Sequence, residues 1–169
     1  GALVTAADHD MWAAIKHDRA CRGAVLGPFE AWLLLRGMRT LFLRVAKASE
    51  NAQRVAEELT TQQHVIKVMY PGLVDHYGHD VATAQMHGGF GPLVSFRVAN
   101  EDVAKRVVAA LRLFRNATSL GGVESLVEHR APVEGQGTPV PSDLIRLSLG
   151  IEDVDDLVAD LTQALQHSS

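Results

Sequence analysis

Ile145-Arg146-Leu147-Ser148-Leu149-Gly150-Ile151-Glu152-Asp153 is the stretch that decides the fold. Ile145, Leu147 and Leu149 alternate with Arg146 and Ser148, the period of a strand with one apolar and one polar face. Glu152 or Asp153 then starts a helix with Val154, Leu157, Val158, Leu161 and Leu165 on one side. An arginine in mid-strand is costly to bury unless it meets an anion. Its planar fork suits a carboxylate held at two points, such as the α-carboxylate of an amino acid. Pairing with a nearby Asp or Glu is the plainer alternative.

Upstream, Thr118-Ser119-Leu120-Gly121-Gly122-Val123-Glu124-Ser125-Leu126 supplies a hydroxyl and two permissive glycines. Such a segment can bring backbone N–H and C=O groups close to a small ligand, or serve as an ordinary turn. Short strands are expected around Thr118 and at 126–128. The stretch 130–143, with Gly135, Gly137, Pro139 and Pro141, reads as a mobile loop. Alternation predicts strands at 64–70, ended by Pro71-Gly72, and at 93–98. Residues 79–86 read as a short helix, and 101–114 as an amphipathic helix capped by Asn100. Strands interleaved with helices in this order predict an α+β sandwich, one sheet covered on one side by helices.

Nearer the start, residues 2–5 read as a buried strand. Asp8 caps a helix through about residue 20, and Gly27-Pro28 opens the next, proline being tolerated in a first turn. Phe29, Trp32, Leu33, Leu34, Leu35, Met38, Leu41, Phe42 and Val45 make that helix apolar on most faces, as in a buried element or a subunit interface. It continues through Ala52, Val55, Ala56 and Leu59, one long connection between two domains that change over at about residue 46.

A length of 169 residues, 47% hydrophobic content and 21% charged residues suit a chain that buries a core. The net charge of −4 is spread along the chain, which argues against nucleic-acid or membrane-surface partners. One cysteine, Cys21, forms no internal disulfide, as expected in the cytoplasm, and reads as a buried thiol. No apolar run reaches membrane-spanning length. The first residue is Gly, so a processed, truncated or engineered piece of a longer protein is expected. His76, His79, Asp80 and His87 are possible metal ligands, but they lack a cysteine set or a helical i,i+4 pair, and no metal is expected. Gly88-Gly89-Phe90-Gly91 lacks the Lys-Ser/Thr of a phosphate loop. His129-Arg130 reads as a solvated strand end or the mouth of a site.

Taken in order, these segments resemble the Cys/Met-metabolism family of pyridoxal-phosphate (PLP) enzymes, which includes cystathionine γ-synthase, cystathionine γ-lyase and methionine γ-lyase. The resemblance runs through Gly27-Pro28-Phe29, Leu34-Leu35-Arg36-Gly37-Met38-Arg39-Thr40-Leu41, Glu50-Asn51-Ala52 and Tyr70-Pro71-Gly72-Leu73, then through the two motifs above. It implies an α/β protein of PLP fold type I. Residues 1–46 would be the tail of the large PLP domain with its connecting helix, and 47–169 the small α+β C-terminal domain.

The resemblance further implies that Arg146 binds the substrate α-carboxylate and that Ser119 assists, with Thr118 and Leu120 beside it. The family's PLP-bearing lysine stands in a Ser-x-x-Lys-Tyr segment. None of Lys16, Lys47, Lys67 and Lys105 has that context, so no covalent PLP is expected on this chain, only in the intact parent. The implied reaction is elimination or replacement at Cβ or Cγ of a sulfur amino acid, in a homo-oligomer that in the family is usually a tetramer. The alternative is a non-catalytic half-protein acting as a dimerisation or ligand-binding module. Two departures stand out: Thr118 sits where several members that handle cystathionine carry Glu, and residues 131–141 replace a Ser/Thr-His pair.

Overall fold

Asp8 fixes the start of the first helix by accepting hydrogen bonds from the Asp10 and Met11 amides at 2.9 and 3.0 Å. In this computed structural model, which describes residues 7–135 and 137–168, that helix is α1 (His9–Arg22), closed by Gly23 at φ 69°. The strand expected at 2–5 lies outside the described residues. α2 (Pro28–Met38) opens on its proline and α3 (Leu41–Thr61) follows. The expected single helix is thus two, broken where Gly37 and Thr40, both weak helix formers, flank the junction. The chain divides into two compact units, Gly1–Thr40 and Leu41–Ser169.

In the first unit neither helix buries a residue. Cys21 is exposed rather than buried, with Sγ 3.4 Å from Nε2 of His17 one turn earlier on α1.

The second unit continues with β1 (Lys67–Met69), α4 (His79–Gln85), β2 (Leu93–Arg97), α5 (Glu101–Ala110), β3 (Arg115–Asn116), β4 (Leu126–His129), α6 (Arg130–Glu134), β5 (Leu144–Ser148) and α7 (Val154–His167). The sheet order is β1-β2-β5-β4-β3, antiparallel except for the parallel β3–β4 pair. Across the three inner strands Val94, Leu147 and Val127 share one row, and Ser95, Arg146 and Glu128 the next. Neighbouring rows face opposite sides, so one side of the sheet is apolar and the other carries the polar groups. Against the apolar side pack Ala52, Val55, Ala56 and Leu59 of α3, Val103, Ala104 and Val107 of α5, and Leu157, Leu161, Ala164 and Leu165 of α7.

Several boundaries differ from expectation, each for a local reason. α5 ends at Ala110 rather than 114, because the buried Asp160 of α7 accepts from the Arg112 and Leu113 amides and turns the chain. The stretch at 130–143 begins as helix α6 rather than loop, with Pro132 in the first turn, where its missing N–H costs nothing. The strand expected around Thr118 lies at Arg115–Asn116, and β1 keeps only three residues of 64–70.

Candidate functional site

The polar row of the sheet sets the site. Arg146 stands in the middle of β5 with Glu128 of β4 directly beside it. Its Nη2 lies 2.9 Å from Glu128 Oε2, with side-chain exposures of 20% and 3% for the two residues. Glu128 is fully engaged: Oε1 accepts from the Thr118 hydroxyl, and Oε2 also takes Arg130 Nη1 at 2.6 Å. Arg130 in turn pairs with Glu134 one turn along α6. Burial pushes the Glu128 carboxyl up. The Thr118 and Arg130 hydrogen bonds and the charges of Arg146 and Arg130 outweigh it, so the group titrates below its ordinary range.

Arg146 also reaches the segment 118–122. Its Nη2 donates to the Ser119 carbonyl at 3.4 Å, and the Ser148 hydroxyl accepts from the Gly121 amide at 3.3 Å, with Gly121 at φ 77°. Thr118 and Ser119 are therefore brought to Arg146, the first through Glu128. The Ser119 hydroxyl makes no hydrogen bond among the described residues, and Leu120 points outward, 56% exposed. Arg146 Nε and Nη1 likewise donate to nothing among the described residues, and neither is sealed from solvent. The chemistry on offer is a fixed, half-open guanidinium beside a free hydroxyl, a donor set for a carboxylate.

A second network locks the strand beneath. Ser125 donates through its amide and hydroxyl to the Glu152 carboxylate, at 2.6 and 2.9 Å, and its Oγ accepts from the Gly150 amide at 2.9 Å. Sequence reading missed Glu128 and Ser125 as parts of the site. The only signal for Glu128 was an acid on the short strand expected at 126–128; its place beside Arg146 comes from the strand pairing.

Other candidates behave as ordinary structure. His79 hydrogen-bonds through Nδ1 to the Pro71 carbonyl at 2.7 Å and packs on Phe90, and among the described residues no group of three His, Cys, Asp or Glu is placed to hold a metal. His129 Nε2 meets the Ser142 carbonyl. Lys16 and Lys67 are exposed, Lys47 pairs with Glu50 at 3.7 Å and Lys105 with Glu101 at 2.7 Å. Among the described residues no helix is long and apolar enough to cross a membrane.

Comparison with known proteins gives a consistent answer. The profile of the Cys/Met metabolism PLP-dependent enzymes matches residues 1–166. Cystathionine gamma-synthase of Mycobacterium tuberculosis is 48% identical over 98% of this chain and 44% of its own length. Cystathionine beta-lyase of Lactococcus lactis is 43% identical over 97% of this chain and 45% of its own. The chain thus spans less than half of these relatives. The crystal structure of metB from Corynebacterium glutamicum superposes with a TM-score of 0.89 at 40% identity, covering 96% of this chain and 43% of that one. Cystathionine gamma-lyase from yeast does so with 0.86 at 36%, covering 95% and 44%. These neighbours are PLP enzymes of fold type I, and the chain belongs to the Cys/Met metabolism family of PLP-dependent enzymes.

Proposed function

We propose that this chain supplies the substrate α-carboxylate site of a PLP-dependent sulfur amino-acid enzyme of the cystathionine γ-synthase and lyase kind, catalysing elimination or replacement at Cβ or Cγ. The observation that carries it is Arg146, held at Nη2 while Nε and Nη1 stay open. Arg146 would bind the carboxylate and Ser119 Oγ would donate beside it, fixing rotation about Cα so that its proton leaves in one direction. PLP, when bound to the whole enzyme, supplies the sink for the electrons of that bond. The residues present fit the carboxylate and not the cofactor, so no covalent PLP is proposed on this chain and no inherent activity without the rest of the enzyme.

The exposed apolar side chains of α2, among them Phe29 at 65% and Trp32 at 56%, support a surface covered by the rest of the enzyme and by like subunits in a homo-oligomer. The same exposure is what a dimerisation module would show, which keeps that second reading in view. The single cysteine supports a cytoplasmic protein.

The test compares a sulfur amino-acid substrate with its α-carboxamide in the full-length enzyme. The amide is expected to lose about 100-fold or more in kcat/KM, and Arg146→Ala to abolish the discrimination. Equal turnover of acid and amide would contradict the reading.

A further inference from the structure

We infer that Glu128 is a positioning residue for substrate binding: it fixes the Arg146 guanidinium so that its open N–H donors keep one orientation toward the incoming carboxylate. The inference rests on the carboxylate reading of Arg146. Glu128 is an acid in the middle of a buried strand at 2% exposure, an arrangement that is costly unless the charge is paired and hydrogen-bonded.

It is both, with bonds from three segments of the chain. Thr118 precedes the Ser119 segment, Arg130 opens α6 and Arg146 stands on β5. Neutralising Arg146 alone would need none of the other partners. The extra bonds instead remove the freedom of Glu128 to turn, so the more exposed Arg146 is tied to a fixed point. Both bonds of Arg146 leave from Nη2, to Glu128 at 2.9 Å and to the Ser119 carbonyl at 3.4 Å. The plane of the guanidinium is thereby set by groups that do not touch the ligand, as second-layer groups set a binding residue elsewhere.

A charge effect opposes the positioning effect. Removing the Glu128 carboxylate makes the site more positive and attracts anions more strongly. Loss of orientation therefore appears in kcat rather than in affinity, and that split marks a positioning role. The tighter anion binding reports the lost charge, and the fall in kcat beside it reports the lost orientation.

The test uses full-length enzyme loaded with PLP and four variants: Glu128→Gln, Thr118→Val, Arg146→Lys and the Glu128→Gln/Arg146→Lys pair. In Glu128→Gln, kcat is expected to fall about tenfold or more while sulfate becomes a tighter competitive inhibitor. In the Arg146→Lys background the same change should alter kcat less than threefold, because the group it positions is gone. Thr118→Val, which loosens Glu128 without removing its charge, should lower kcat in the same direction by a smaller factor, and covers the case in which Glu128→Gln does not fold. A kcat within threefold of wild type in both single variants would overturn the inference, as would an undiminished loss in the Arg146→Lys background. Wild-type behaviour of Arg146→Lys itself would instead sink the carboxylate reading.

Discussion

The side-chain amide of Asn51 donates to the Gly150 carbonyl at 3.0 Å across 99 positions of sequence, and to the Glu152 carbonyl at 2.9 Å. It pins the turn after β5 to α3, and so holds the strand that carries Arg146. Both neighbours are acceptors, so the nitrogen must face them, and Oδ1 is left buried without a partner. Asn51→Ala would strand two carbonyls and is expected to destabilise the second unit by about 2–4 kcal/mol, read from chemical denaturation.

Gly150 is required by space. A Cβ there would sit 2.2 Å from the Val123 carbonyl oxygen and 2.7 Å from the Glu124 carbonyl carbon, both backbone atoms that cannot step aside cheaply. Gly150→Ala is expected to cost more than 2 kcal/mol, about the level of a strained core change. A melting temperature unchanged in that variant would show that the turn is looser than described.

Much of this was legible in the sequence. The alternation around Arg146 placed Ile145 and Leu147 toward the core and Arg146 with Ser148 away from it, and that is how β5 lies. The segment 118–122, which reads either as an approach to a small ligand or as an ordinary turn, lies against Arg146 and Ser148. What periodicity could not supply was partnership. Glu128 joins Arg146 only through strand pairing, and Asp160 shortens α5 from 48 positions away. Gly37 and Thr40 broke a helix whose apolar pattern ran straight through the junction. Cys21 is exposed because α1 buries no residue in its unit, a property of what surrounds a helix rather than of its own sequence.

Tyr70 gives an alkaline signature. Its phenol is fully buried and donates to the Gly91 carbonyl at 3.0 Å; burial first, and the Glu57 charge second, push it from 10.0 up to about 12. A raised folded value contributes stability that is complete below pH 10 and is lost as pH climbs toward 12, on the order of 2–3 kcal/mol. Tyr70→Phe should lack this alkaline component in denaturation curves measured across that window. The same loss in both proteins would assign it to other groups.

Glu128 gives the acid counterpart. Facing it are Arg146 of β5, Arg130 of α6 and Thr118, with Lys105 of α5 and His129 of its own strand on the same cleft. Its folded value lies below the ordinary 4.5, so its contribution is present above that pH and is lost as pH falls through the folded value. The stability gap between wild type and Glu128→Gln should therefore close on acidification below pH 4.5. A gap that persists at lower pH would point to lost packing rather than lost charge.

Phe42 at 84% and Leu43 at 74% exposure in the second unit, and the apolar side chains of α2 in the first, leave each unit with uncovered apolar groups. The chain alone is expected to self-associate, and Trp32→Gln with Phe42→Gln to reduce it, by analytical ultracentrifugation. A strictly monomeric wild-type chain at micromolar concentration would contradict this.

The central claim is that Arg146 receives the substrate α-carboxylate, and Arg146→Lys in the full-length enzyme tests it most directly. Lysine keeps the charge and loses the planar two-point fork. The predicted result is a fall in kcat/KM of about 30- to 1000-fold, equivalent to about 2–4 kcal/mol, with the visible absorbance of bound PLP unchanged. Wild-type kcat/KM in that variant would contradict the assignment.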